Sequence, residues 1–148
     1  MKYIRCHIVK AKPCTLGEWE QKTGKTWNEP DVPRTEEGYK CDYPDGYSGW
    51  CPKVEFEKVS RPIDGMTFGM AIEAMKRGKK VARRGWNGKG QFVTVGNQFT
   101  YVDCNGKQNA EHQTSGTAAL IFHGTIGVQV GWLASQSDML SEDWEVVA

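Results

Sequence analysis

Arg83-Arg84-Gly85-Trp86-Asn87-Gly88-Lys89-Gly90 gathers three cations, three glycines and a tryptophan into eight residues. Cations pair with phosphate, glycines such as Gly88 let the backbone approach a ligand closely, and tryptophan offers a flat face to a base. Together these devices suggest a pocket for a nucleotide-like molecule. They do not suggest catalysis. A second segment, Trp132-Leu133-Ala134-Ser135-Gln136-Ser137-Asp138, lies near the C-terminus. Its hydroxyl, amide and carboxylate groups can hydrogen-bond ribose hydroxyls or a base edge. Each segment also has a plainer reading, in which Trp86 and Trp132 are core residues beside a solvated turn, and the residues by themselves leave both readings open.

Motifs that recruit side chains to chemistry are missing. The glycine spacing is not a dinucleotide fingerprint, because the loop follows a strand without opening a helix. His7, His112 and His123 lie far apart, and the chain has no Gly-x-Ser-x-Gly elbow, His-x-x-x-His pair or Walker lysine loop. Asp138, Glu142 and Asp143 read as a solvated acidic cluster at a helix N-terminus, where the dipole favours them. Tyr43, Tyr47 and Trp50 read as the core face of a small sheet. The expectation is a binding protein, with no catalytic residue, metal or cofactor. Five cysteines, Cys6, Cys14, Cys41, Cys51 and Cys104, cannot all pair and show no zinc-like spacing. Cys41 and Cys51 could face each other across a hairpin, although a reducing compartment favours free thiols.

At 148 residues the chain has room for one ordinary domain or two very small ones. Its 39% hydrophobic and 25% charged shares are those of a folded globular protein. A net charge of +1 argues against a grip on long nucleic acid, which calls for a basic excess. No apolar stretch approaches the ~20 residues that cross a bilayer, and the N-terminus lacks a signal-peptide core. The expected location is the cytoplasm, with no membrane partner.

The elements that must position these residues fall into two groups, 1–61 and 66–148, divided by the polar segment Ser60-Arg61-Pro62-Ile63-Asp64-Gly65. Upstream, Tyr3 to Val9 reads as a strand, and Thr15 to Lys22 as a short helix with a Thr15–Glu18 capping box. Tyr39 to Tyr43 and Tyr47 to Cys51 flank Pro44-Asp45-Gly46, hence a hairpin, and Pro52 opens a helix to about Val59. Downstream, Thr67 caps a helix whose Phe68, Ala71, Ile72 and Met75 follow i, i+3, i+4, i+7, with Gly78 as its stop. Strands are expected at Val81, Gln91 to Val95, Phe99 to Val102, Leu120 to Phe122 and Val128 to Trp132, with a turn at Asp103 to Gly106. Lys107 to Gly116 reads as a long loop, Ser137 to Asp143 as a short helix and Trp144 to Val147 as a closing strand. The class is α+β: a small antiparallel sheet with short helices packed on it, preceded by a small hairpin-and-helix module.

Met66-Thr67-Phe68-Gly69, Lys79-Lys80-Val81-Ala82-Arg83, Gly85 to Gly90, Trp132 to Asp138 and Glu142-Asp143-Trp144-Glu145 follow one another in order. That series resembles the second type of Thoeris anti-defence protein, a family of small phage proteins, over residues 66–148. The resemblance implies a sponge that binds a cyclic ADP-ribose isomer, or another cyclic nucleotide signal, without destroying it. It implies ligand contacts at Trp86, Asn87, Trp132, Ser135, Gln136 and Asp138, with Arg84 or Lys89 near the pyrophosphate and Gly88 in the same loop. It also implies a homo-oligomer, dimer or tetramer, with ligand held between protomers. Two departures stand out: Met70 replaces a common Glu, which removes a capping box from Thr67, and Gly96 to Gly124 matches nothing in the pattern. Residues 1–61 resemble a different small phage module, through Tyr43-x-Asp45-Gly46-Tyr47-x-x-Trp50-x-Pro52-Lys53. Competing readings are an enzyme that degrades the same signal and a single-stranded nucleic-acid module.

Overall fold

The computed structural model describes residues 7–102, 105–113 and 118–148. Two compact units divide the chain, residues 1–61 and 62–148, and the class is α+β, built from antiparallel sheets and short helices.

In the first unit, β1 (Lys10–Thr15) runs directly into α1 (Leu16–Thr23), followed by β2 (Glu37–Asp42), β3 (Ser48–Pro52) and α2 (Lys53–Val59). Of the expected strand at Tyr3 to Val9, residues 7–9 are not in a strand. Residues 1–6 lie outside the described residues, and pairing begins at Lys10, opposite Asp42. The strand carries Pro13 because β1 is an edge, where a missing N–H costs no ladder bond. The capping box at α1 forms as its sequence dictates: the Glu18 amide donates to Thr15 Oγ1 at 3.3 Å, and the Thr15 amide donates to the Glu18 carboxylate at 3.0 Å. Leu16, Trp19 and Trp50 make the core of this unit, with Trp27 set edge-on against Trp50 at 5.2 Å. Gly38 is required there, because a Cβ would collide with the Trp50 ring and the Cys51 carbonyl. Cys41 and Cys51 are free thiols that do not face each other; Cys41 pairs with Gly49, and Cys51 with Tyr39.

The second unit opens with α3 (Phe68–Lys76), where Thr67 Oγ1 accepts the Met70 amide at 3.4 Å, and Gly78 takes a left-handed φ of 76° just past its end. Strands β4 (Lys80–Arg83), β5 (Phe92–Gly96), β8 (Ala119–Gly124), β9 (Gly127–Val130) and β10 (Trp144–Val147) form one antiparallel sheet in the order β10-β4-β5-β8-β9. Two further strands, β6 (Gln98–Val102) and β7 (Gln108–Gln113), pair as a hairpin. The expected long loop from Lys107 therefore contains a strand: the turn at Asn105-Gly106 brings β7 back along β6, and ladder pairing satisfies backbone groups whatever the polarity of the side chains. One helical turn, α4 (Gln136–Met139), stands where a helix to Asp143 was expected. It is short because Trp144 must already be extended to pair with Arg83. Val81 and Val93 oppose each other on one sheet face, and Ala71, Ala74 and Met75 of α3 close over them with Met66 and Trp144. The periodicity of α3 thus points into this core.

Candidate functional site

Arg83 ends β4 directly opposite Trp144, the first residue of β10. Antiparallel pairing brings the start of β10 beside the turn that follows β4, and the Arg84 amide donates to the Asp143 carbonyl at 3.3 Å. The Arg83 side chain turns to the acids. Its Nε lies 2.8 Å from Asp143 Oδ1 and its Nη2 3.4 Å from Oδ2, while Nη1 reaches Asp138 Oδ1 at 2.9 Å. Rigid guanidinium geometry suits this division of one cation between two carboxylates.

Asp138 is 8% exposed, the buried charged side chain of this unit among the described residues. It occupies the third position of α4, where Ser135 is the N-cap. The Asp138 amide donates to Ser135 Oγ at 3.1 Å, and Asp138 Oδ2 accepts from the Ser135 amide at 3.0 Å and the Ser135 hydroxyl at 2.7 Å. The other oxygen, Oδ1, accepts from Arg83 and from Trp86 Nε1 at 3.1 Å. Burial pushes the Asp138 carboxyl upward, but hydrogen bonds from Ser135, Arg83 and Trp86 outweigh it and hold its pKa at about 2. Asp143 is held below the usual carboxylate range mainly by its hydrogen bond from Arg83, with the Gly85 amide adding to the effect. The acidic cluster is therefore not a solvated helix terminus, because two of its members are counterions for a strand-end arginine.

An aromatic group surrounds this network. Trp86 meets Phe122, Trp132 and Trp144 edge-on at centroid distances of 5.3, 5.8 and 5.4 Å, and Trp132 stacks on Phe122 at 5.8 Å. Trp144 is fully buried, and its indole N–H donates to the Asp138 carbonyl at 2.9 Å. Trp86 and Trp132 are half-buried, packing against the core while keeping part of their surface open.

Of the residues singled out from sequence, Trp86, Trp132, Ser135 and Asp138 come together around these contacts. Arg84, Asn87 and Lys89 are exposed on the loop that carries Trp86, and Gln136 is exposed on the first turn of α4. Gly88 lies against the Gln91 amide, which a Cβ would displace. Sequence reasoning counted Arg83 among the loop cations and read Asp143 in a solvated acidic cluster, and placed neither in the site, although the signal was present: a strand-end arginine, and two acids shortly before the tryptophan of the closing strand. Among the described residues, no group of His, Cys, Asp or Glu is placed to hold a metal ion. None of their helices is long and apolar enough to cross a membrane.

These segments lie within the part of the chain that is similar to known proteins. Residues 66–147 match the Thoeris anti-defense 2-like domain. A curated protein of Bacillus phage SP01, Thoeris anti-defense 2, is 34% identical over 85 residues, covering 56% of this chain and 96% of that protein. Residues 1–61 lie outside the matched domain. The match takes in α3, the whole five-stranded sheet, the Trp86 loop and the Ser135–Asp138 turn, so the chain belongs to the Thoeris anti-defense 2-like family.

Proposed function

We propose that this chain is a phage anti-defence protein that captures a cyclic ADP-ribose isomer, or a related cyclic nucleotide signal, and holds it without cleaving it. The observation that carries this reading is the convergence of the Trp86 loop and the Trp132–Asp138 segment within the family domain. Half-buried Trp86 and Trp132 supply aromatic surface for a base. Arg84 and Lys89 supply mobile cations for a pyrophosphate, and Asn87, Ser135 and Gln136 supply groups for ribose hydroxyls. Sequestration demands tight binding and no chemistry, in keeping with a titratable network that is fully engaged internally.

The functional assembly in this reading is a homo-oligomer acting in the cytoplasm of the infected bacterial cell. Leu133 and Leu140, 87% and 81% exposed beside the same turn, suit a contact between protomers that would close the pocket. Two measurements test the proposal. The purified protein is incubated with synthetic cyclic ADP-ribose isomers, then denatured, and the released small molecule is identified. Tight binding with intact release supports sequestration, whereas recovery of a cleaved product would show an enzyme.

A further inference from the structure

We propose that Arg83 is the positioning residue of this site: held between Asp143 and Asp138, its guanidinium keeps the Trp86 loop and the Ser135 turn in register, and ligand affinity depends on it without any contact between it and the ligand. This inference rests on the sequestration reading above.

The reasoning begins with valence. A carboxylate offers room for roughly four donors. Asp138 already receives Arg83 Nη1, Trp86 Nε1, the Ser135 amide and the Ser135 hydroxyl. Its oxygens are committed internally, so Asp138 joins neighbours instead of greeting a ligand. Each of its side-chain partners belongs to one of the two ligand-holding segments or to the strand end that supports them. Trp86 comes from the loop after β4, Ser135 from the start of α4, and Arg83 from β4 itself.

Arg83 is what fixes these segments to the sheet. Nε and Nη2 face Asp143, Nη1 faces Asp138, and the side chain is only 17% exposed. Asp143 also accepts the Gly85 amide at 3.2 Å, one residue before Trp86. The loop is thus gripped at two points by acids that one guanidinium holds apart at a set distance. A lysine ammonium is a point charge on a flexible stem and cannot reproduce that fork. The main apolar core of this unit is the contact of α3 with Val81, Val93 and Trp144. The arginine network sits beyond that core and orients the segments at its margin.

The test uses the full-length protein with Arg83→Lys and Asp143→Asn. The second variant leaves the Arg83–Asp138 pair in place, so it retains the test if the first does not fold. Two readouts are taken: titration with synthetic cyclic ADP-ribose isomers, and the NMR signal of the Trp86 indole N–H, assigned with Trp86→Phe. The expected result is a folded variant whose Trp86 signal moves, while those of Trp19, Trp27 and Trp50 stay in place, and whose affinity falls about tenfold, as for a group left short of a charged partner. Folded variants that bind like the wild type would overturn the inference, whether or not the Trp86 signal moves. If the wild type binds no isomer while the Trp86 signal still moves, the sequestration reading fails and the orienting of Trp86 by Arg83 is upheld. An unmoved Trp86 signal in that case removes both.

Discussion

Trp86 and Arg83 donate to the same oxygen of Asp138, at 3.1 and 2.9 Å. A half-buried aromatic side chain is thereby tied to a charge pair by its one polar atom. The rotamer of Trp86 is set by this bond as well as by its edge-on neighbours, which restricts the ring surface left for a ligand.

Breaking that bond should weaken the fold itself. Asp138→Asn removes the charge facing Arg83 and places an amide N–H₂ among donors. A loss of about 3 kcal/mol is expected, the scale for breaking a buried pair from one side. Urea unfolding followed by tryptophan fluorescence measures it, and a loss below about 1 kcal/mol would place the network among solvent-screened surface pairs.

Acid should act through the same groups. Asp138 and Asp143 both titrate lower in the folded chain than the ~3.9 of an unfolded aspartate. As pH falls, the unfolded chain takes up these protons first, so the stabilisation is complete above about pH 4 and is lost as pH falls toward about 2, the folded value of Asp138. Unfolding measured across this window should show that slope, and Asp138→Asn should flatten it. Equal slopes in both proteins would remove Asp138 from the effect.

The tryptophans should separate by burial. Trp144 is fully buried, so Trp144→Ala should cost about 3–5 kcal/mol and compromise folding. Trp132 keeps open surface, and Trp132→Ala should leave a folded protein whose binding of cyclic ADP-ribose isomers weakens by about 1–3 kcal/mol, the scale of base stacking. Calorimetric titration beside a melting curve distinguishes them. A Trp132→Ala protein with unchanged affinity and a much lower melting temperature would assign that ring to the core alone.

A chain beginning at Pro62 should fold and, on the sequestration reading, still capture the cyclic signal. The 85 matched residues make up nearly the whole of the phage SP01 relative, and both core clusters are confined to their own units. Ile63 must be retained, because its carbonyl accepts the Val146 amide at 2.9 Å along the edge of β10. Circular dichroism, light scattering and ligand titration check this. A folded, assembled truncation that captures nothing would show that residues 1–61 contribute to the pocket.

Cysteine chemistry offers an internal check on the first unit. Burial raises the Cys41 thiol to about 11, and Cys51 is raised for the same reason. Alkylation of the folded protein at pH 8 should spare Cys41 until denaturant is added. Rapid labelling of Cys41 in native buffer would contradict its 3% exposure.

Much of the fold was legible because its signals are local. Thr15 with Glu18, Thr67 with the apolar stripe of α3, the turn at Asp45-Gly46 and the left-handed Gly78 each act within a few residues. The misplaced elements are those settled by pairing with another segment and not by their own residues. β1 begins where β2 offers a ladder, β7 exists because β6 lies beside it, and α4 stops early because Trp144 belongs to the sheet.

From residue types and their patterning came the α+β class and the aromatic and cationic groups suited to a nucleotide, and from resemblance came the family segments. Tertiary structure decided how those groups are used. Nothing in the spacing of Arg83, Asp138 and Asp143 says that one guanidinium divides itself between two acids 55 and 60 residues away. That arrangement follows from the antiparallel pairing of β4 with β10. It persists because a charge removed from water must find its partners inside the fold, and the sheet brings them within reach.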